Sequence, residues 1–408
     1  MLSFKKFIGS RLLYESSSID DTALGHLSHG FDIFHESPEH TQLSLNAMRA
    51  FHQIRIGNPD KSGIKAFLKH DGGVSAHWIH TDDGVIGVSD KHRMGRKSGP
   101  VIMTTPEEIQ KHLGDKPAYA TAMTHLLKAG HEILPRNTHI QGDLLYTEGE
   151  GSPEDHGPNR IRYRPKQKTT AKIGFAAHTQ VTDGLAHSLE GGVLFKTPNV
   201  HMPEHVYHPD PNSYHQDDRN GFEHHSNEAM KLLGSHTTKH LSDQELKGEL
   251  NKYFNRSARG HDYKTGKVHN KPLTPTVDGF IEHIRMYGHD LVSGVSSSGK
   301  KSEKKTKIKS MIDHIERNRE HFERTIQIRD HLRRATDHLT AGIEHPDVDT
   351  FIDGKKSPGE GIVLGLPSNV LPGKVHPRIK LVPTRIQYEL GNNPRFPPNV
   401  KAKPLLTT

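Results

Sequence analysis

Lys69 stands in Lys69-His70-Asp71-Gly72, between two apolar segments, with a second Asp-Gly pair, Asp83-Gly84, behind it. Lysine does covalent chemistry only as a neutral amine. A free side chain, with a pKa near ~10.4, is almost wholly protonated at pH 7. Partial burial and a neighbouring cation favour the neutral form. A nucleophilic Lys69 therefore needs a second positive group nearby and a backbone that turns tightly beside its substrate, which Asp71 and Gly72 would supply. Alone, it reads equally well as a solvated residue at a strand end. Further along, acids and glycines pair again, as Gly142-Asp143 in QGDLLY and Glu360-Gly361 in EGIV. A cationic segment, Arg378-Ile379-Lys380, follows. Each pair alone is an ordinary turn. Glu190, in EGGVLFK, fits the same pattern as Glu360 and lies closer to Phe175, but no lysine-bearing strand follows it.

Other chemistries are narrowed by composition. The chain has no cysteine, which excludes disulfides, thiolate metal sites and cysteine nucleophiles. Its 34 histidines are scattered and include no HExxH helix, so surface and hydrogen-bonding roles are expected over a structural metal site. Gly294 to Lys300 has the spacing of a phosphate-binding loop. Lys301 stands where a magnesium-holding Ser or Thr belongs, and the context is helix-linker-helix, so that reading is rejected.

The elements that must position these residues follow from periodicity. TQLSLNAMRAFHQI has helical spacing within an N-terminal leader, residues 1–60. IKAFLK, SAHWIH and VIGVSD read as strands, the last two joined by a hairpin at Asp83-Gly84. Thr105-Pro106 opens a helix over TPEEIQKHL, and AYATAMTHLLKAGHEIL continues as helix. THIQGDLLYTEG, IRYRPK and AKIGFAAHTQV are further strands, completing a first core segment over 61–205. Residues 206–348 read as a helical insertion. Within it, SGVSSSGKKSEKKTKIK is expected as a linker running into a basic cluster, and Ile308 to Ile343 as one amphipathic helix. Closing strands EGIVLGLP and RIKLVPT fall in 349–391, ahead of a proline-rich tail, 392–408. Strands before and after a helical block predict an α+β fold of antiparallel sheets and helices.

With 408 residues there is room for two domains or for one with a large insertion. A formal charge of +7 favours a polyanionic partner. No run approaches the length of a membrane span, and the apolar stretch in MLSFKKFIGSRLL is too short and broken for a signal peptide. A soluble, cytoplasmic monomer without membrane contact is expected.

Taken in order, KHDG (69–72), QGDLLY (141–146), KIGFAAHT (172–179), EGIV (360–363) and RIKLV (378–382) resemble the signature of the covalent nucleotidyltransferase superfamily of ATP-dependent DNA ligases, RNA ligases and mRNA capping enzymes. Over most of its length the chain also resembles a group of tailed-phage proteins with a K-x-D-G segment, QGDL and a VKLV-like strand. The superfamily resemblance implies a ligase-like domain and a lysyl-AMP intermediate on Lys69, followed by joining of 5′-phosphate to 3′-hydroxyl nucleic-acid ends. It implies ATP and Mg2+ as cofactors and DNA or RNA as partner. Lys380 would lie near the α-phosphate, with Arg378 beside it. Asp71, Gly72 and Phe175 would bind the nucleotide, Phe175 by stacking, and Asp143 and Glu360 would hold the metal. Two departures bear on this. Asp143 stands where Glu is usual, and Arg378 where a second lysine usually alternates with Lys380. They support an alternative, a catalytically degenerate ligase fold that binds nucleotide or nucleic acid as a phage accessory protein. A third reading is nucleotide transfer to a protein or an RNA cap. ATP against GTP, and DNA against RNA, stay open at this level.

Overall fold

A computed structural model of the chain describes residues 30–31, 37–58, 63–70, 74–94, 99–147, 161–182, 185–188, 197–234, 236–352, 354–366 and 378–391. The fold is mixed α and β with several antiparallel sheets. The chain divides into two compact units, one built on Ile54–Ser213 with Gly342–Lys380, the other on Tyr214–Ala341 with residues from His29–Gln53 and from Leu381 onward.

Three sheets organise the first unit. The largest has the order β3-β2-β4-β6-β7, from β2 (Val74–His80), β3 (Ile86–Asp90), β4 (Thr138–Thr147), β6 (Ile173–Thr182) and β7 (Leu185–Ser188), all antiparallel. A short β8 (Val200–His201) adds to β6 in parallel. The β2–β3 turn closes as expected, with the Gly84 N–H donating to Thr81 O at 3.2 Å. Two helices, α2 (Pro106–Leu113) and α3 (Pro117–Ile133), supply apolar side chains to the same core as this sheet. Thr105 caps α2 by accepting from the Glu108 N–H, which satisfies one of the donors a helix start leaves open. The core holds Trp78, Leu126, Ile140, Leu144 and Phe175. Burying each large side chain contributes about 1.5–3 kcal/mol.

The second sheet has the order β10-β9-β5, from β5 (Ile161–Pro165), β9 (Val348–Ile352) and β10 (Lys355–Ser357). The third carries the residues of interest. It runs β1 (Lys65–Leu68), β11 (Ile362–Gly365), β12 (Arg378–Leu381), with Leu68 opposite Ile362 and Lys65 opposite Gly365. On its other side β1 bonds to residues 205–207, with the Leu68 N–H donating to His205 O and the Tyr207 N–H to Ala66 O.

The second unit is helical: part of α1 (Pro38–Arg55), then α4 (Gln216–Leu233), α5 (Gln244–Ala258), α6 (Val277–Ser293), α7 (Ser298–Arg317), α8 (Arg319–Thr340) and α9 (Thr384–Gly391). Three expectations change here. The Ser/Gly-rich linker shrinks to four residues, 294–297, because the lysine-rich stretch from Ser298 is already helix. The single helix expected through Ile343 breaks at Asn318, whose φ of −113° leaves the helical range. Finally, residues 37–53, expected in the leader, and α9, expected within the closing-strand segment, group with this unit.

Candidate functional site

Lys69 follows directly on β1, and Glu360 precedes β11. Pairing of the two strands therefore brings them side by side although 291 residues separate them. The Lys69 N–H donates to Gly361 O at 3.0 Å. Gly361 has φ +124°, a conformation that side-chain-bearing residues rarely adopt, so glycine is needed behind the acid. The Lys69 ammonium donates to Glu360 Oε2 at 3.2 Å, with Glu360 at 0% and Lys69 at 14% side-chain exposure. A carboxylate this deep is tolerated because it is paired. Lys380 lies on β12, the strand beside β11.

Asp143 sits on β4 in the large sheet, and its environment comes from an irregularity in β6. Gln141 pairs with Thr179 but Gly142 pairs with Ala177, so His178 is the extra residue of a bulge. His178 Nε2 is 3.5 Å from Asp143 Oδ2, and its Nδ1 is 2.7 Å from Thr179 Oγ1. Arg378 Nη1 donates to the same Oγ1 at 3.2 Å, which links the edge strand β12 to β6. Arginine can only donate, so Thr179 Oγ1 accepts from Arg378 while it also meets His178 Nδ1, and the other imidazole nitrogen faces the Asp143 carboxylate. Neither His178 nor Thr179 was singled out from sequence. The one signal was the polar run His178-Thr179-Gln180 after the apolar first half of β6, and strand alternation alone does not reveal a bulge.

Gly142 explains the glycine of QGD. A Cβ there would lie 2.4 Å from Ala176 O and 2.6 Å from the Phe175 ring. Gly142→Ala is expected to cost about 1–3 kcal/mol by overpacking and to displace Asp143 from His178. A urea melt of this variant that overlays the wild-type curve would refute that packing account.

Phe175 does not take the stacking position implied by the resemblance. It is fully buried and meets Trp78 edge-to-face at 6.1 Å, so no face is open to a base. An aromatic residue on a strand packs inward wherever the sheet face is covered by helices, as it is here. Asp71, Gly72 and Glu190 lie outside the described residues.

Behind the Lys69–Glu360 pair lies a buried aromatic group. His70 and His345 have ring centroids 4.1 Å apart, and Tyr163 is 5.9 Å from His70. Burial, then His345, holds His70 well below the ordinary histidine range. Burial pushes His345 down to about 3, and His139 of the large sheet to about 4. These imidazoles are neutral when folded and protonate near 6.5 when the chain unfolds. Below that pH the unfolded state binds more protons, so their contribution is full above about 6.5 and is lost as pH falls toward 4 and 3. Each adds a slope approaching roughly 1.4 kcal/mol per pH unit in that window. Urea midpoints should therefore drop clearly between pH 7 and pH 5; equal midpoints would contradict neutral burial.

Magnesium takes one or two carboxylates and completes its shell with phosphate oxygens and water. Among the described residues no three His, Asp or Glu gather into a metal cage. Asp143, with a side chain 16% exposed, suits a magnesium brought in with a triphosphate. Glu360 fits less directly, because Oε2 is taken by Lys69 until the ammonium loses its proton. No helix among the described residues is long and apolar enough to cross a membrane. No curated protein and no solved structure matches the chain. Residues 25–379 match the group described as "Family of unknown function (DUF6267)", and the chain belongs to that family.

Proposed function

We propose that this DUF6267 member is a ligase-like nucleotidyltransferase of phage type. It would form a lysyl-AMP on Lys69 from ATP and pass the nucleotide to a 5′-phosphate, so that a 3′-hydroxyl can close the nucleic-acid strand. The observation that carries the reading is the Lys69–Glu360 pair at 3.2 Å, with Lys380 on the next strand but one from Lys69 in the same sheet. For Nζ to attack, its proton must leave, and Glu360 Oε2 is a base within transfer distance. The amine then bonds to the α-phosphorus as the bond from that phosphorus to pyrophosphate breaks. Lys380 would steady charge on the transferring phosphate. Arg378, on the same strand, donates to Thr179 Oγ1; the resemblance gives the phosphate role to Lys380. Asp143, with Glu360 beside Lys69, would hold magnesium, which would supply charge withdrawal from the phosphates. His178 would orient the Asp143 carboxylate.

The deciding experiment is incubation of the full chain with each α-labelled triphosphate and Mg2+, followed by a denaturing gel. Label that survives denaturation and is released by acid but not by mild base marks a phosphoramidate on lysine. A second reading rests on the burial of the pair. A salt bridge with one member at 0% exposure can act as a structural fastening in a binding module without catalysis. Absence of label with every triphosphate would favour that module.

A further inference from the structure

We infer that Lys301, Lys305 and Lys309 form a contact surface for the phosphate backbone of a nucleic acid. The surface deepens the nucleic-acid part of the proposed function and rests on that part alone, not on the nucleotidyl-transfer chemistry. Between Ser298 and Ile312 there are six lysines and one glutamate, a net +5 in a chain whose formal total is +7. The excess charge is thus concentrated on α7.

Several bases elsewhere in the helical unit are neutralised: Lys231 by Glu228 at 2.6 Å, Lys252 by Glu249 at 2.7 Å, Arg334 by Asp330 at 2.8 Å. On one flank of α7 the lysines also have partners. Lys307 pairs with Glu245, and Lys304 donates to Leu291 O at 2.9 Å. Lys301, Lys305 and Lys309 lie on the other flank, four residues apart, and among the described residues none of them forms an ion pair. Lys305 and Lys309 are exposed, and Lys301 is half-buried. At about 1.5 Å rise per residue the three span roughly 12 Å in a line. Glu303 projects to the opposite side, and Asp313, one turn beyond Lys309, ends the stripe.

A row of unpaired cations suits two kinds of anionic surface, a membrane or a nucleic acid. A helix that lies in a membrane interface must keep its apolar face free to insert. On α7 that face is occupied, since Ile308, Met311 and Ile315 are buried. Ile308 sits so close to α6 that a Cβ on Gly288 would lie 2.8 Å from it. The cationic flank is left outward, which fits phosphate contacts without sequence readout.

Counterion release makes the inference quantitative. Each lysine that neutralises a phosphate adds about 0.9 to the magnitude of the log affinity against log salt slope on duplex, and about 0.7 on single strands. The test is fluorescence anisotropy with labelled duplex and single-stranded DNA, titrating the full chain at NaCl from ~50 to ~200 mM. Lys301→Gln/Lys305→Gln/Lys309→Gln should reduce the slope by roughly two to three. A charge-matched control, Lys111→Gln/Lys116→Gln/Lys128→Gln on exposed positions of the other unit, should leave it unchanged. Equal loss in both variants would overturn the surface in favour of bulk charge. Wild-type binding to phosphatidylserine vesicles but to neither DNA form would overturn it in favour of lipid. All substitutions are at lysines without ion pairs, so circular dichroism should stay at wild type. Self-labelling by ATP should also be untouched in the lysine triple variant. A wild-type chain that never labels, together with the expected slope loss in the triple variant, would sink the transferase chemistry and leave the surface standing.

Discussion

Lys69→Arg should leave no nucleotide on the chain. Guanidinium stays protonated throughout the accessible pH range and cannot supply the lone pair that attacks phosphorus. Its charge still faces Glu360, so the buried carboxylate keeps a partner and the fold should persist. The expected fall in labelling is at least about a hundredfold, the scale of losing a covalent nucleophile. Lys65→Arg is the internal control. Lys65 begins the same strand, is exposed and pairs across to Gly365, so its variant should label as wild type. Undiminished labelling in Lys69→Arg would remove Lys69 as nucleophile, whatever the wild type does.

Lys69→Met should act mainly on stability. It strips the counter-ion from a carboxylate at 0% exposure. Removing one member of a buried pair typically costs ~3–5 kcal/mol, because the survivor stays desolvated and uncompensated. In a unit of this size that corresponds to a melting point lower by roughly 6–20 °C. Glu360→Gln should cost less, since Lys69 retains some exposure and its chain can carry the ammonium outward. The double variant Lys69→Met/Glu360→Gln should be more stable than Lys69→Met alone, with a coupling of about 2–3 kcal/mol. Simple additivity of the two single changes would mean the pair is not energetically linked. Together the two lysine variants separate roles: arginine at 69 keeps the pair and loses the amine, whereas methionine loses both.

Much of the scaffold was legible because local chemistry and tertiary packing agree there. Asp83-Gly84 marks a turn in any context, and Thr105-Pro106 starts a helix by capping and by fixed φ. SAHWIH is legible as a strand because Ala76 and Trp78 alternate into the main core, although His77 and Ile79 on the other face are buried as well. The order of Lys69, Glu360 and Lys380 was readable, and the strands beside or carrying them belong to one sheet, with β11 between β1 and β12. What was not legible depends on partners distant in sequence. Phe175 carries the same letter whether it stacks on a ligand or fills a core, and only the helices over its sheet decide. The bulge at His178 is set by register against β4. The lysines after Ser298 look like a solvated tail until Ile308, Met311 and Ile315 find a surface to bury on. Asn318 breaks a pattern whose apolar period continues straight through it.

The pairing of β1 with β11 also has a temporal side. At ribosomal elongation of ~5–20 residues per second, the 291 residues between Lys69 and Glu360 take roughly 15–60 s to make. Throughout that interval β1 has been synthesised but its partner strand has not, so the edge that β11 will occupy is bare. Closure of so long a loop comes late in folding. A nascent or truncated chain ending before Glu360 therefore has Lys69 without its counter-ion, and the earliest moment at which the pair can exist is set by translation itself.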